Sequence, residues 1–152
     1  MTANAEVWFY HLERAGLERV LPDLLEKTLA RGWRAEVRST SEERLDYLNT
    51  HLWTYRQDSF LPHGAARDGT PEDQPIHLTL DEGNANKADV LFLVDGAAPG
   101  DLSAYARCIT IFDGRDKEAT DAARAFWTEV KGQGHAVAYW QQSAAGKWEK
   151  KG

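Results

Sequence analysis

The sequence predicts a three-layer α/β fold, a mainly parallel sheet with helices on both faces. Two apolar runs, Ala88–Val94 (ADVLFLV) and Cys108–Phe112 (CITIF), read as strands buried on both sides, as central strands of a parallel sheet are. Between residues 17 and 29, Leu17, Val20, Leu21, Leu24, Leu25, Thr28 and Leu29 recur at helical spacing. Strand-like and helix-like segments alternate along most of the chain, and parallel neighbours need crossover connections of that kind.

Val7–Leu12 (VWFYHL), apolar and aromatic, reads as a buried first strand. The Leu-rich helix follows and stops at Gly32, a residue that tolerates the backbone of a helix C-terminus. Arg34–Ser39 alternates like a strand. Thr40 and Glu43 have capping-box spacing and open a second helix with Leu45, Leu48 and Leu52 on its apolar side, ending near Trp53. Pro62, Gly64, Gly69, Pro71 and Pro75 puncture residues 54–75, which read as one long loop. Ile76–Leu80 reads as a short strand, and Leu102–Ala106 as a short helix between the two apolar runs. A helix is expected from Lys117 to Lys131, stopped by Gly132 and Gly134, then a last strand at Ala136–Trp140. Residues 141–152 read as a polar tail apart from Trp148. The expected whole is one domain over residues 1–152, Rossmann-like in its layering.

With 42% apolar and 28% charged residues, the chain has the balance of a globular domain rather than of a disordered one. Its net charge of −6 argues against a protein that coats nucleic acid, so direct DNA binding is not expected. The charge is uneven: residues 1–100 hold 10 basic and 17 acidic side chains, residues 101–152 hold 8 and 7. An acidic partner therefore fits the last third better. Cys108 is the sole cysteine, which excludes an intrachain disulfide and a thiolate-rich metal site and fits a reducing compartment. No apolar run nears the roughly 18 residues that span a bilayer. The first residues lack the basic start and apolar core of a signal peptide, so a cytoplasmic location is expected.

Chemistry-bearing motifs are scarce. There is no G-x-x-x-x-G-K-[ST], and Gly132–Gly134 precedes a strand, the reverse of the order that cradles phosphate. His11, His51, His63, His77 and His135 have no metal-ligand spacing. Cys108 sits in an apolar strand, where thiols are usually inert. Asp113, Asp116 and Asp121 fall near a strand C-terminus, the edge where α/β enzymes place their sites, although helix capping explains them as well. No catalytic residue, metal or cofactor is assigned.

Two surfaces suit partners. On the late helix, Ala119, Ala122, Ala123, Phe126 and Val130 form the side facing the core. Lys117, Thr120, Arg124, Trp127 and Lys131 run beside it at 3-4-3-4 spacing, with Arg115 at the helix entrance. Cations around a large aromatic suit an acidic peptide with an apolar anchor, because an Arg can clasp a carboxylate bidentately. The second surface is Leu52-Trp53-Thr54-Tyr55 with Ser59-Phe60-Leu61-Pro62-His63, aromatics on a loop of the kind enriched at interfaces.

These residues resemble the chi subunit family of the bacterial DNA polymerase III holoenzyme. The resemblance rests on VWFYHL, the Leu-Trp…Ser-Phe-Leu-Pro-His pattern at 52–63, ADVLFLV, and the helix with Ala123-Arg124 and Trp127. It implies a small accessory subunit without an active site. One surface would bind the acidic C-terminal tail of single-stranded-DNA-binding protein, with Arg124 and Trp127 at its centre, and Lys117, Thr120, Lys131 and Arg115 from the helix stripe complete the expected set. Another, built from Trp53, Phe60, Pro62 and His63, would dock the psi subunit or an equivalent clamp-loader component, with a helicase as the other candidate. The chain departs from the family pattern at Thr120, where a basic residue is expected. Alone, it is expected to be a monomer. The competing reading is a small nucleotide-binding or hydrolytic enzyme with its site near Asp113, Arg115 and Asp116.

Overall fold

A computed structural model of the chain describes residues 5–13, 16–54, 63–65, 74–80, 86–142 and 147–151, with backbone alone at 53–54 and 63–65. The described elements are β1 (Glu6–Leu12), α1 (Leu17–Ala30), β2 (Ala35–Arg38), α2 (Glu42–Thr54), β3 (His63–Ala65), β4 (Ile76–Thr79), β5 (Val90–Leu93), β6 (Arg107–Asp113), α3 (Lys117–Gly132), β7 (Val137–Gln142) and β8 (Trp148–Lys150). They form one sheet in the order β3-β4-β2-β5-β6-β1-β7-β8. Every neighbouring pair is parallel except β7 with β8. The fold is thus the expected α/β three-layer arrangement.

Strand alternation divides the core. Tyr10 and Leu12 of β1 join Val20, Leu21 and Leu25 of α1 and Leu45, Leu48 and Leu52 of α2 on one face. Val7 and Phe9 join Ala123 and Val130 of α3 on the other, with Phe126 and Trp127 packed against them. Successive strand side chains point to opposite faces, so one strand can serve two cores only if nearly every residue is apolar. That requirement explains the composition of β1.

Helix α1 contains Pro22, which cannot donate to the carbonyl of Glu18 four residues back. His51 of α2 compensates: its Nε2 lies 2.6 Å from that carbonyl oxygen. The bond also ties the two helices of this layer together. Just past the C-terminal end of β5 the chain makes an unusual turn. Asp95 adopts a left-handed backbone (φ 56°) followed by Gly96 (φ 80°). The Asp95 carboxylate accepts a 2.6 Å bond from the Ser39 hydroxyl and pairs with Arg44 at 3.1 Å, which fixes the turn.

Four expectations are corrected. Helix α2 starts at Glu42, and its cap is Ser41, whose Oγ accepts from the Arg44 N–H at 3.3 Å. Thr40 instead donates to the Asp95 carbonyl at 3.4 Å, away from the helix. Residues 102–106 form a turn, not a helix, because the Asp101 carboxylate takes the Ser103 N–H at 2.9 Å and the Tyr105 N–H closes on Leu102. The 141–152 segment carries β8, since Trp148 has a place to go, edge-on to Tyr10 at 5.0 Å. The segment 54–75 contains β3, which pairs with β4; residues 55–62 and 66–73 lie outside the described residues. No described helix is long and apolar enough to cross a membrane.

Cys108 is fully buried, and loss of hydration pushes its thiol up to about 12. The reactive thiolate therefore does not form at pH 8 in the folded chain. A disulfide reagent at pH 8 should label native protein only at the rate of unfolding and label it at once in guanidinium. Rapid labelling of native protein would contradict the burial.

A candidate peptide-docking surface on the third helix

Asp116 caps α3, its carboxylate accepting from Glu118 N–H at 3.0 Å and Ala119 N–H at 3.4 Å. The helix lies on β6 and β7, with Ala123 and Val130 buried beneath it. At 100° per residue, Thr120, Arg124, Trp127 and Lys131 then fall along one flank, and Glu118, Ala122, Ala125 and Glu129 along the other.

Trp127 anchors the first flank. Its ring lies 5.3 Å from Phe9 and 5.8 Å, edge-on, from Tyr139. The ring is mostly buried with one part left outside, and the Lys131 ammonium lies 5.4 Å from its centroid. Arg124 is exposed one turn away and makes no ion pair with a carboxylate among the described residues. Its positive field reaches Tyr139, where it opposes the burial that raises the phenol. Thr120 turns its hydroxyl back to the Asp116 carbonyl at 3.0 Å. Lys117 pairs with Asp121 at 3.3 Å, fully in solvent. Arg115 sits apart from this flank: its Nε and backbone N–H both bond Asp113, and it lines a cleft on the opposite side of α3.

That cleft, about 920 Å³, lies at the C-terminal ends of β1, β5 and β6, between Leu12, Leu93, Phe112 and the Ala122–Phe126 side of α3. It is where an α/β enzyme would hold its substrate. The carboxylates that the enzyme reading needs are otherwise engaged. Asp116 is the helix cap, and Asp113 is held below its ordinary range first by the Arg115 backbone N–H and then by its guanidinium. Among the described residues no three His, Cys, Asp or Glu side chains are grouped to hold a metal ion.

Sequence reasoning missed a polar cluster beside Trp127. His11 Nδ1 lies 2.6 Å from the Tyr139 hydroxyl, and Nε2 lies 3.3 Å from Glu13. Gln141 donates to the same Glu13 carboxylate at 2.7 Å. A side chain on Gly114 would occupy the space that the His11 imidazole fills. The cluster arises because β1 and β7 pair with Phe9 opposite Tyr139 and His11 opposite Gln141. The alternation of β1 places His11 on the face of Phe9, but the register with β7 is set by tertiary pairing that no local pattern specifies.

Of the second predicted surface, Phe60 and Pro62 lie outside the described residues. Trp53 is placed by its backbone at the end of α2 and His63 at the start of β3. Helix α2 and β3 pack together, so these two positions belong to one corner of the sheet, remote in sequence from α3.

The chain is thus a mainly parallel α/β protein whose third helix carries an exposed cationic flank beside a partly buried Trp. Residues 4–138 match the family model of the DNA polymerase III chi subunit (HolC), and the chain belongs to that family. It is 31% identical over 94 residues to a probable DNA polymerase III subunit chi of Rickettsia prowazekii, a stretch covering 62% of this chain and 55% of that one. It is 29% identical over 84 residues to the DNA polymerase III subunit chi of Pseudomonas aeruginosa, covering 55% and 58%. The chain thus matches little more than half the length of these relatives.

If Asp116 acts only as a cap, Asp116→Ala should lower stability by about 1 kcal/mol in urea unfolding and leave the folded state intact. A loss well above about 2 kcal/mol would show a further role.

Proposed function

We propose that this chain is a noncatalytic adaptor of DNA polymerase III that captures the acidic C-terminal tail of single-stranded-DNA-binding protein on the Arg124 flank of α3. The observation that carries the reading is Arg124 itself, exposed and, among the described residues, engaged with no carboxylate, beside a Trp127 ring seated by Phe9 and Tyr139. A guanidinium in that setting can bind a chain-terminal carboxylate bidentately. The apolar residue before the carboxylate packs against Trp127, and Lys131 and Lys117 attract the acidic residues upstream.

Capture of this kind is tethering. A weak contact to a protein already coating DNA raises the local concentration of the polymerase at the fork. The second contact belongs to the corner around Trp53 and His63, with Phe60 and Pro62, and its partner is psi or an equivalent clamp-loader component, with a helicase as the competing occupant. The net charge of −6 opposes direct DNA binding.

Binding of a labelled acidic peptide ending in Pro-Phe, followed by anisotropy, tests the first contact. Arg124→Ala should weaken it about tenfold or more, the loss of a charge-assisted contact worth roughly 1.5–3 kcal/mol. An unchanged affinity would overturn the site. Because the charges are exposed, affinity should also fall as salt rises from about 0.05 to 0.5 M. Trp53→Ala should abolish co-purification with the clamp-loader partner while peptide affinity stays at the wild-type level. Loss of both would indicate unfolding and would remove the support for a separate second contact.

A further inference from the structure

We propose that His11 and Tyr139 form a proton-controlled second donor for the carboxylate that Arg124 binds, so that capture of an acidic peptide strengthens as pH falls. The inference rests on the reading of the Arg124 flank as a carboxylate receptor, and adds to it two residues from the sheet beneath.

The geometry sets the direction of each bond. The Glu13 carboxylate, 3.3 Å from His11 Nε2, accepts only, and Gln141 holds it in place. In the neutral ring it therefore favours the proton on Nε2, leaving Nδ1 as an acceptor. The Tyr139 hydroxyl, 2.6 Å from Nδ1, must then donate inward. Its lone pairs then point away from the imidazole, and they repel any carboxylate brought up to them. When His11 gains a proton, Nδ1–H donates to the Tyr139 oxygen. The hydroxyl hydrogen is then free to turn outward and donate to the bound carboxylate. One proton thus changes the phenol from acceptor to donor and adds a positive charge beneath the site.

The remaining groups around His11 hold their charge or neutrality through this change. Asp113, whose carboxyl feels the His11 charge, is kept low by Arg115. Tyr139 is kept protonated by burial, against the Arg124 field. From the neighbouring elements, Phe112 of β6 and Gly114 contribute only packing, and the exposed Arg124 is the cation facing Tyr139 from α3. Glu13 is the carboxylate that faces the ring directly. The position opposite the ring has to be Gly114, since any side chain there would displace it.

The test uses the full chain and a peptide of four aspartates followed by Pro-Phe with a free C-terminus, titrated by calorimetry at pH 8.0 and 5.5. Wild-type affinity should rise about tenfold at the lower pH, the scale of one hydrogen bond to a charged group. Tyr139→Phe keeps every histidine and the ring, and should gain less than twofold; His11→Gln should behave the same way. A pH-independent wild type, or a Tyr139→Phe variant that keeps the full gain, would overturn the inference. Absence of binding at both pH values would instead overturn the receptor reading on which it stands. Should either variant misfold, the wild-type imidazole nitrogens still decide the matter by NMR. Saturating peptide must raise the His11 titration midpoint, because a proton that favours the peptide is favoured by it. A midpoint that does not move contradicts the proposal.

Discussion

The proposed docking surface depends on one constraint, the burial of β1 on both faces between two parallel neighbours. Phe9 is completely enclosed and touches Phe126, Trp127 and Tyr139 at once. It therefore fixes how far α3 can sink onto the sheet and which part of Trp127 remains outside. On the reverse face Tyr10 packs against Trp140 and Trp148, which holds the β7–β8 edge in register. If β1 shifted by one residue, the two cores would exchange contents and Trp127 would lose its support. The exposed cations contribute little to stability and depend on this apolar frame for their positions.

The other half of the sheet solves a harder electrostatic problem. Glu36 and Arg38 on β2 are both buried and meet at 2.8 Å. Burial raises the Glu36 carboxyl, and the Arg38 guanidinium and Tyr105 hydroxyl act against that shift. Arg38 also donates to the carbonyls of Ala98 and Pro99 at 3.1 and 2.9 Å. Those carbonyls belong to the wall of the cleft beside α3. A pair buried in this way is weak evidence for net stability, but removing one partner leaves an uncompensated charge. Its evident structural effect is to pin the loop between β5 and β6, where the 102–106 segment replaces a helix by a turn.

Much of this was legible in the sequence because it follows from periodicity. The apolar runs at 88–94 and 108–112 could only be buried strands, and the 3-4 spacing of α3 placed Arg124 and Trp127 on one flank without reference to anything else. Tertiary pairing was less accessible. Trp148 looked like an isolated residue in a polar tail, and only the proximity of Tyr10 made it a strand. Thr40 had capping chemistry and the right spacing, but the turn at Asp95 claimed its hydroxyl and left the cap to Ser41. The His11–Tyr139 contact joins residues 128 positions apart, through a strand order no local pattern specifies.

The proposed docking surface also lies apart from the crevice where α/β sheets usually place their chemistry. At the crevice of the strand ends, the usual place for chemistry, three carboxylates are committed: Asp95 to Ser39 and Arg44, Asp113 to Arg115, Asp116 to the helix amides. Each holds a turn or helix start in place, so none can change protonation or partner without loosening the fold. Among the described residues, Arg124 and Lys131 on the outer flank of α3 pair with no carboxylate. Arg124 and Lys131 project from a helix whose buried side is complete without them, and they can engage a passing carboxylate at no structural cost. Binding chemistry is therefore free to develop on the outer flank of α3, where the sheet supplies rigidity and the helix supplies charge.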